Sequence, residues 1–367
     1  MRVVIAGGGT GGHIYPALAI ASALDAEILY IGGKKGIEKD ILPTTGLKYQ
    51  LLDVEGFQRK LSLRNFVTVY KAFRATQKSK SLLKDFKPDC VVVTGGYVSG
   101  PVGQAASSLK IPLFLQEQNS YPGVTIKLLA KKAKKIFLGS KGAEKYLPEN
   151  KCIFTGNPVR QEILRADRAK ARLELGLGDK TLLMVTGGSQ GAKAINEAVR
   201  GLYEKLSKRN DLVVVHHTGR NDFVETKNKE TLYPRLLKEL GADARAISKN
   251  IFITPFIQNM ASVLSASDLV VSRAGAIFLS EAAVLGVPLI MIPFPYSAED
   301  HQTYNAMVWK EKNAGLLVRE SEISSLEESL FGLLKESVLR KEMSLNATTL
   351  GNPNATEVIV REIHSGI

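Results

Sequence analysis

The sequence has few cysteines, few histidines and no long apolar segment. Among its 367 residues are two cysteines and five histidines, and none has the spacing of a Cys/His metal site. Cys90 and Cys152 each fall in an apolar, strand-like run, so we expect two buried thiols in a reducing compartment. No apolar run approaches the roughly 18 residues of a membrane-spanning helix. The chain starts directly on a strand, so we expect no signal peptide and a cytoplasmic location.

Two common nucleotide-binding motifs are also missing. The phosphate-binding pattern GxxxxGK[ST] does not occur, which argues against a P-loop NTPase. No glycine cluster gives a clean GxGxxG with an acidic residue about twenty positions later, which argues against a dinucleotide-dependent oxidoreductase. The glycine-rich segments that are present therefore need another explanation.

The spacing of apolar runs predicts two α/β domains. A chain of 367 residues exceeds the size at which one core usually stops growing. Strand-like runs alternate with helical segments in both halves, which predicts two Rossmann-like parallel sheets facing across a cleft. The predicted strands are 2–6, 27–31, 90–94, 113–115, 135–138 and 152–155, then 181–186, 212–218, 251–254, 268–271, 289–293 and 315–318.

We predict a domain boundary after Asn157, giving domains 1–157 and 158–346. The segment 347–367, with a helix over 354–363, is expected to pack back on the first domain. Residues 221–250 are rich in Lys and Glu, so we expect an exposed helix and loop there. The second domain is expected to have further helices at 190–207, 259–266, 277–286 and 301–312.

The segment Val3–Ala19 predicts a strand, a tight glycine loop and a helix. Glycines let a ligand approach the backbone, and the first N–H groups of the helix are unpaired and favour an anion. An imidazole is suited to accepting a proton near neutral pH, so His13 at this loop is a candidate base, although it could instead only cap the loop. Similar loops follow strands at Gly95–Pro101 and Gly187–Ala192. A fourth glycine turn, at Gly275, opens an apolar helix that carries Glu281, a carboxylate able to bind a ribose diol.

The positive charge is concentrated in the first half. Residues 1–157 contain 23 Lys and Arg against 11 Asp and Glu, and so carry most of the net charge of +13. Residues 59–87 hold nine Lys or Arg and one acid, interleaved with apolar positions 63, 66, 67, 70 and 73 at helical spacing. This segment is either a helix for an anionic membrane surface or a crossover helix with its apolar stripe on the sheet. No nucleic-acid-binding motif accompanies the charge.

In order and spacing, these motifs resemble the MurG family of glycosyltransferases. The resemblance covers essentially the whole chain and rests on Gly9–Ala17, Gly95–Pro101, Gln116–Asn119, Gly156–Arg160, Gly187–Ala192 and Ser272–Glu281. It implies a GT-B fold and inverting transfer of GlcNAc from UDP-GlcNAc to the C4 hydroxyl of MurNAc. The acceptor it implies is lipid I, an undecaprenyl-diphosphate-linked muramyl pentapeptide of peptidoglycan synthesis, and the product is lipid II.

The resemblance also implies roles for individual residues. It puts the donor diphosphate near Ser189, uracil near Ile257, the ribose on Glu281 and the sugar against Gln302. The implied UDP-GlcNAc contacts are Thr10, Gly11, Gly12, Asn119, Arg160, Ser189, Ile257, Ala276, Ile277, Phe278, Leu279, Ser280, Glu281 and Gln302. The implied acceptor-diphosphate contacts are Gly12, His13, Gly95, Gly96 and Tyr97. His13 is the candidate base and Glu117 the alternative.

Two features bear on the leaving group. Relatives often carry Thr where this chain has Phe278, so we expect backbone N–H groups to replace a hydroxyl contact to the donor phosphate. Many sugar-nucleotide enzymes hold a metal with an Asp-x-Asp pair, and this sequence contains none. We therefore predict no cofactor and no obligatory metal, with helix N-termini and Arg160 stabilising the departing diphosphate.

The expected location is the cytoplasmic face of the inner membrane, with peripheral attachment. Expected partners are UDP-GlcNAc, lipid I, an anionic membrane surface and other cell-wall synthesis proteins, but not nucleic acid. Alternatives from the same motifs are another GT-B transferase with a lipid acceptor, for example diacylglycerol, or a UDP-GlcNAc 2-epimerase. A non-catalytic, membrane-recruiting sugar-nucleotide-binding subunit is the alternative that is not an enzyme.

Overall fold

The computed structural model describes residues 1–56, 64–188 and 190–367, apart from the side chains at 64–66 and 298. The chain divides into two compact units. The N-terminal unit contains Met1–Arg160 and Asn352–Ile367, and the C-terminal unit contains Gln161–Gly351. The division falls three residues after the predicted boundary, and the returning segment begins at Asn352 rather than at 347.

The N-terminal unit is built on a seven-stranded, fully parallel sheet in the order β3-β2-β1-β4-β5-β6-β7. The strands are Arg2–Gly7 (β1), Glu27–Gly33 (β2), Lys48–Leu52 (β3), Cys90–Gly95 (β4), Leu113–Glu117 (β5), Lys135–Leu138 (β6) and Cys152–Phe154 (β7). Its helices are Gly11–Ala23 (α1), Glu38–Ile41 (α2), Arg64–Phe86 (α3), Ser99–Ser108 (α4), Val124–Ala130 (α5) and, at the end of the chain, Ala355–His364 (α16).

Alternation along the strands divides the core of this unit into two layers. Val3 and Ile5 of β1 pack with residues of α1 and α16, whereas Val4 and Ala6 pack with residues of α3, α4 and α5. Successive side chains of a strand point to opposite faces, so a β-branched run that is buried throughout needs helices on both sides. The predicted packing of the C-terminal helix on the first domain agrees with this arrangement.

The C-terminal unit has a second seven-stranded sheet, in the order β10-β11-β9-β8-β12-β13-β14. The strands are Thr181–Thr186 (β8), Leu212–His217 (β9), Arg245–Ala246 (β10), Ile251–Thr254 (β11), Leu269–Ser272 (β12), Leu289–Met291 (β13) and Gly315–Leu317 (β14). All neighbouring strands are parallel except β10 and β11.

Ten helices belong to the described part of this unit. They are Gln161–Leu164 (α6), Arg168–Leu175 (α7), Lys193–Gly201 (α8), Tyr203–Ser207 (α9), Pro234–Leu240 (α10), Met260–Ala266 (α11), Ala276–Leu285 (α12), His301–Glu311 (α13), Leu326–Lys335 (α14) and Ser337–Thr348 (α15). The prediction of two parallel α/β domains is thus confirmed.

Three local predictions need correction. The segment 221–250 is not simply exposed, because Leu236 and Leu240 of α10 are buried and β10 joins the sheet. Cys90 is buried, but Cys152 is only half-buried, and its thiol donates to the Pro148 carbonyl at 3.3 Å. The edge strand β3 was not predicted, because it is polar and largely exposed and lacks an apolar run.

The basic helix α3 turns its apolar stripe outward. Val67, Tyr70 and Phe73 are 50%, 60% and 61% exposed, whereas Ala75 and Leu83 are buried on the side that faces α4. The predicted stripe position 63 and the charges at 59 and 60 lie outside the described residues, as does the side chain at stripe position 66. Within those described, no helix is long and apolar enough to cross a membrane.

Candidate active site

The first glycine loop lies between β1 and α1, and neighbouring chain segments pack tightly against it. Gly9 has a φ of +88°, which an L side chain rarely adopts. A Cβ on Gly96, in the loop after β4, would lie 2.2 Å from the Gly8 carbonyl oxygen. The two loops therefore touch through their backbones, and Gly96 is needed for that approach.

A buried carboxylate holds this loop, and the sequence analysis did not predict it. Glu38 Oε1 accepts hydrogen bonds from the N–H groups of Gly9 at 2.9 Å and Gly33 at 3.0 Å. The side chain is 1% exposed, and its Oε2 is buried without a hydrogen-bond partner in the described part of the chain. Glycines at 8, 32, 33 and 36 leave room for it. The available signal was an acid that follows a glycine-rich segment, residues 32–36, after a predicted strand.

This contact corrects the simple picture of a phosphate cradle. The Gly9 N–H is already bonded to Glu38 and is not available to an anion. Gly11 and Gly12 open α1, so their N–H groups have no partner within the helix. The N–H groups of Gly11 and Gly12 can therefore donate to a phosphate, whereas the N–H group of Gly9 cannot.

His13 is held through its Nδ1 atom. This nitrogen lies 3.0 Å from the Thr94 carbonyl oxygen and 3.2 Å from Gln118 Oε1. A Cβ on Gly95 would lie 2.7 Å from the same nitrogen, so the glycine makes room for the ring. The Thr94 hydroxyl donates to the His13 carbonyl at 2.8 Å, which joins the two loops again.

The segment Gln116–Asn119 continues β5 into the same region. Glu117 is 2% exposed, and its two oxygens accept from the Asn119 N–H, the Asn119 amide and the Gly123 N–H at 2.9 to 3.0 Å. The pKa of the Glu117 carboxyl is raised, because burial raises it more than these hydrogen bonds lower it. Both Glu117 oxygens accept hydrogen bonds that hold the turn at 117–123. These bonds favour His13 over Glu117 as the proposed base.

The remaining site residues of the N-terminal unit lie on exposed or half-exposed surface. Tyr97 is exposed and covers Gly56, where a Cβ would lie 2.1 Å from its ring. The guanidinium of Arg160 lies 5.4 Å from the centre of the Tyr15 ring, within reach of a cation–π interaction. Thr10 caps α1 without a side-chain hydrogen bond.

In the C-terminal unit the loop after β8 is held by a threonine and a histidine. The Thr186 hydroxyl accepts from the Gly188 N–H at 3.1 Å and lies 2.9 Å from His217 Nδ1, within hydrogen-bond distance. Burial lowers the pKa of His217 to about 4, so the ring is neutral near pH 7. Ser189, predicted near the donor diphosphate, lies outside the described residues.

The start of α12 presents backbone rather than side chains. Ile277, Leu279 and Glu281 are buried, while Ala276, Phe278 and Ser280 are half-buried. The Leu279 N–H is bonded to the Gly275 carbonyl, so neither the amide nor the side chain of Leu279 is offered to a ligand. Ile257 is likewise buried, which leaves only its backbone for the predicted uracil contact.

Gln302 lies in the first turn of α13, and a hydrogen bond from the Phe294 N–H orients its side-chain amide. Its Oε1 accepts from the Phe294 N–H at 2.9 Å, which directs Nε2 away from that loop. Arg273 supports the same loop by donating to the carbonyls of Ile292 and Pro293, both at 3.1 Å. A donor amide is thus fixed where the sequence predicts a sugar contact.

Comparison with known proteins decides the family. The sequence profile of the glycosyltransferase family 28 N-terminal domain matches residues 3–138, and that of the C-terminal domain matches residues 182–359. A relative from Halalkalibacterium halodurans is 39% identical over 99% of both chains. One from Clostridioides difficile is 40% identical over 99% of this chain and 88% of its own. Both are named UDP-N-acetylglucosamine–N-acetylmuramyl-(pentapeptide) pyrophosphoryl-undecaprenol N-acetylglucosamine transferase.

The chain belongs to the MurG family. The crystal structure of Acinetobacter baumannii MurG superimposes with a TM-score of 0.74 at 30% identity, covering 99% of both chains. Membership in the MurG family confirms the predicted GT-B fold and the prediction of a UDP-GlcNAc-dependent hexosyltransferase. A UDP-GlcNAc 2-epimerase from Neisseria meningitidis matches with a TM-score of 0.66 at 18% identity, which shows a shared fold alone. Membership in the MurG family therefore favours a transferase over the epimerase and binding-subunit alternatives.

Proposed function

We propose that the chain transfers GlcNAc from UDP-GlcNAc to the C4 hydroxyl of MurNAc in lipid I, with inversion. The observation that carries this is similarity over 99% of the chain to relatives named for that reaction. The structure supports it by joining His13, the loop after β4 and Gln118 through hydrogen bonds, with Asn119 next to Gln118 in the chain. Another GT-B transferase with a lipid acceptor remains the alternative to be tested.

In the proposed reaction His13 is the general base. The acceptor O4 bonds to C1 of GlcNAc while its proton passes to His13 Nε2. The bond between C1 and the β-phosphate oxygen breaks, and its electron pair leaves with UDP. Charge grows on the diphosphate in an oxocarbenium-like transition state, where fixed backbone dipoles are effective.

The proposed donor contacts are the backbone at the start of α12, the loop after β8, and Gln302. Buried Glu281 is proposed to bind the ribose hydroxyls and Ile257 to bind uracil through its backbone. Thr10, Gly11, Gly12, Asn119 and Arg160 are the proposed donor contacts of the N-terminal unit. The acceptor diphosphate is proposed to bind Gly12, His13, Gly95, Gly96 and Tyr97.

No protein-bound metal is proposed to take part. The absence of an Asp-x-Asp pair from the sequence supports this, together with the N–H groups at the start of α1, which have no partner within the helix. Activity is expected to survive EDTA. Loss of turnover in EDTA that Mn²⁺ alone restores would contradict the proposal.

We further propose peripheral attachment to the cytoplasmic face of the inner membrane through α3 and α5. Val124 and Leu128 of α5 are exposed, as are the apolar residues of α3, and both helices pack on α4. Lys71, Arg74, Lys78, Lys131 and Lys132 lie on the same helices or immediately after them. An apolar surface flanked by cations suits an anionic lipid headgroup layer.

Turnover tests the activity directly. Labelled UDP-GlcNAc and a lipid I analogue should give a labelled lipid product and stoichiometric UDP, and proton NMR of the product should show inversion at C1. Labelled ManNAc without a lipid product would instead support an epimerase. Transfer to diacylglycerol but not to the lipid I analogue would support the other GT-B alternative.

A further inference from the structure

We propose that Gln118 is a positioning residue that fixes the Nδ1-protonated tautomer of His13 and so presents Nε2 to the acceptor hydroxyl. The proposal rests on the role of His13 as base proposed above. It arises from a buried chain of three side-chain amides that runs from His13 to Asn157, through Gln118 and Gln116.

The tautomer follows from what Nδ1 contacts. A backbone carbonyl can only accept, so the Thr94 oxygen at 3.0 Å favours a proton on Nδ1, although this oxygen also accepts from Gln118 Nε2. Gln118 Oε1, at 3.2 Å from the same nitrogen, is a second acceptor. In the neutral ring the lone pair is therefore on Nε2, which is the atom that a general base must offer.

The Gln118 amide cannot turn over without loss. Its Nε2 donates to the Thr94 carbonyl at 2.6 Å and to the side-chain oxygen of Gln116. A flipped amide would set its oxygen against these two oxygens and its NH₂ against the Nδ1 proton. Because the side chain is buried, each unsatisfied group would cost about 1–3 kcal/mol.

Asn157 orients Gln116 in the same way. Gln116 Nε2 donates to Asn157 Oδ1 at 2.9 Å, and Asn157 Nδ2 donates to the Gln118 carbonyl at 3.0 Å. A Cβ on Gly139 would lie 2.0 Å from Asn157 Oδ1, so only glycine leaves space for this end of the chain. The direction of every amide is thus set from β6 back to the imidazole.

Of the four side chains in this hydrogen-bonded series, only the His13 imidazole is ionisable, and the other three are neutral amides. When Nε2 takes up a proton, the ring becomes a cation and its Nδ1–H bonds become charge-assisted. Two neutral oxygens then stabilise the imidazolium and hold the ring plane. This is the orienting role that a carboxylate has in a Ser-His-Asp triad, performed here by amides.

The test measures the tautomer and the kinetics separately. In protein labelled with [¹⁵N]histidine, two-bond ¹H–¹⁵N spectra of the full chain should show His13 with Nδ1 protonated, assigned by loss of the signal in His13→Ala. Gln118→Met keeps the length of the side chain and removes its hydrogen bonds. We expect a mixed tautomer in this variant and a kcat lower by about 10–100-fold, with the donor KM within about two-fold.

A second variant, Gln116→Met, and a control, Asn250→Leu, test whether the tautomer shift depends on the hydrogen-bonded amides and not on the loss of any buried amide. Gln116→Met removes the next link and should shift the tautomer and kcat in the same direction by less. Asn250→Leu removes a buried amide in the C-terminal unit that donates to the Leu206, Arg209 and Leu212 carbonyls, and should leave the His13 spectrum unchanged.

The outcomes separate the two proposals. An unchanged tautomer in both Met variants would overturn the positioning role of Gln118, because Thr94 would then suffice. A shifted tautomer with unchanged kcat would support the positioning role and contradict His13 as base. An equal change in Asn250→Leu would show a general loss of folding and also overturn the proposal.

Discussion

At the scale of single residues, the candidate site is shaped by buried side chains that contact backbone rather than ligand. Glu38 holds Gly9, Glu117 holds Asn119 and Gly123, and Thr186 with His217 holds Gly188. A glycine loop has no side chains of its own to fix its shape, so neighbouring polar groups must do so. The loops are therefore positioned before any ligand arrives.

His13→Ala tests the proposed base. We expect kcat to fall by about 10²–10⁴-fold, the usual contribution of a general base, with little change in donor KM. Steady-state kinetics with UDP-GlcNAc and a lipid I analogue measure both values. His364→Ala, an exposed histidine on α16, is the matched control and should keep wild-type kcat. A fall of less than ten-fold in His13→Ala would argue against the base role.

Glu38→Ala should destabilise the N-terminal unit. It leaves two N–H groups without their acceptor, at Gly9 and Gly33, and a buried N–H in that state costs about 1–3 kcal/mol. We expect the free energy of unfolding in urea to fall by about 2–5 kcal/mol. Glu27→Ala removes an exposed carboxylate bonded to Lys48 and should match the wild type. Equal stability of both variants would show that Glu38 does not hold the loop.

The sequence could predict which residue types gather at the site, but only part of how they are used. The resemblance to the MurG family put Glu117 and Asn119 in the same site as His13, yet the direction of the Gln118 amide depends on Thr94, Gln116 and Asn157 together. Such contacts join positions far apart in the chain, and spacing in one sequence does not record them. Glu38 was missed for the same reason.

At the scale of elements, strand positions were predicted closely because most strands are buried on both faces. A continuous β-branched run such as Val91–Val93 is typical of an interior parallel strand. The sequence left two alternatives open for the apolar stripe of α3, a membrane surface or the sheet, because apolar residues on a helix normally indicate its buried side. Here the side facing α4 carries small residues such as Ala75 and Ser79, which allow close packing.

The exposed face of α3 should be dispensable for folding but not for binding membranes. In Val67→Ser/Tyr70→Ser/Phe73→Ser, we expect binding to vesicles with anionic lipid to weaken by about ten-fold or more, because apolar area is lost. Co-sedimentation measures binding, and wild-type binding should also weaken as salt rises. Leu173→Ser/Leu345→Ser, on exposed positions of the C-terminal unit, should bind like the wild type. Binding that is indifferent to both salt and the triple substitution would contradict the proposed surface.

At the scale of the whole molecule, the two units are each closed around their own sheet. The N-terminal unit is discontinuous in sequence, because α16 supplies Ile359 and Ile363 to the layer that also contains Val3 and Ile5. Lys135 and Glu362 form an ion pair at 2.7 Å, and the Asn352 amide donates to the Thr155 carbonyl at 2.6 Å. The last residues are thus part of the core of the first domain.

Ile359→Ala and Ile363→Ala should each lower the stability of the N-terminal unit by about 2–5 kcal/mol, the usual cost of a large-to-small change in a core. Hydrogen exchange followed by mass spectrometry should show faster exchange in β1 and α1, with β8 and β9 unchanged. Glu357→Gln, exposed on the same helix, is the control and should exchange like the wild type. Uniformly faster exchange in both units would contradict the division into two cores.

Lowering the pH should destabilise the C-terminal unit, because His216 and His217 are buried there as neutral rings. Burial lowers the pKa of His216 to about 3 and of His217 to about 4, below the unfolded value near 6.5. As pH falls from 6.5 towards these values, the unfolded chain gains protons that the folded chain does not, so stability falls. Urea unfolding at pH 7.5 and 5.5 should show this loss, and His217→Gln, which cannot titrate, should show less of it. An equal loss in the variant would exclude His217 as a source.

The return of α16 has a consequence for how the protein is made. The ribosome completes β1 and α1 before the C-terminal unit, but the helix that packs with them is synthesised after all of that unit. During translation the apolar layer around Ile5 and Ile14 stays uncovered, while residues 161–351 can already close their own sheet. The usual order of domains along a nascent chain is then reversed, and the first domain to emerge is the last to finish folding.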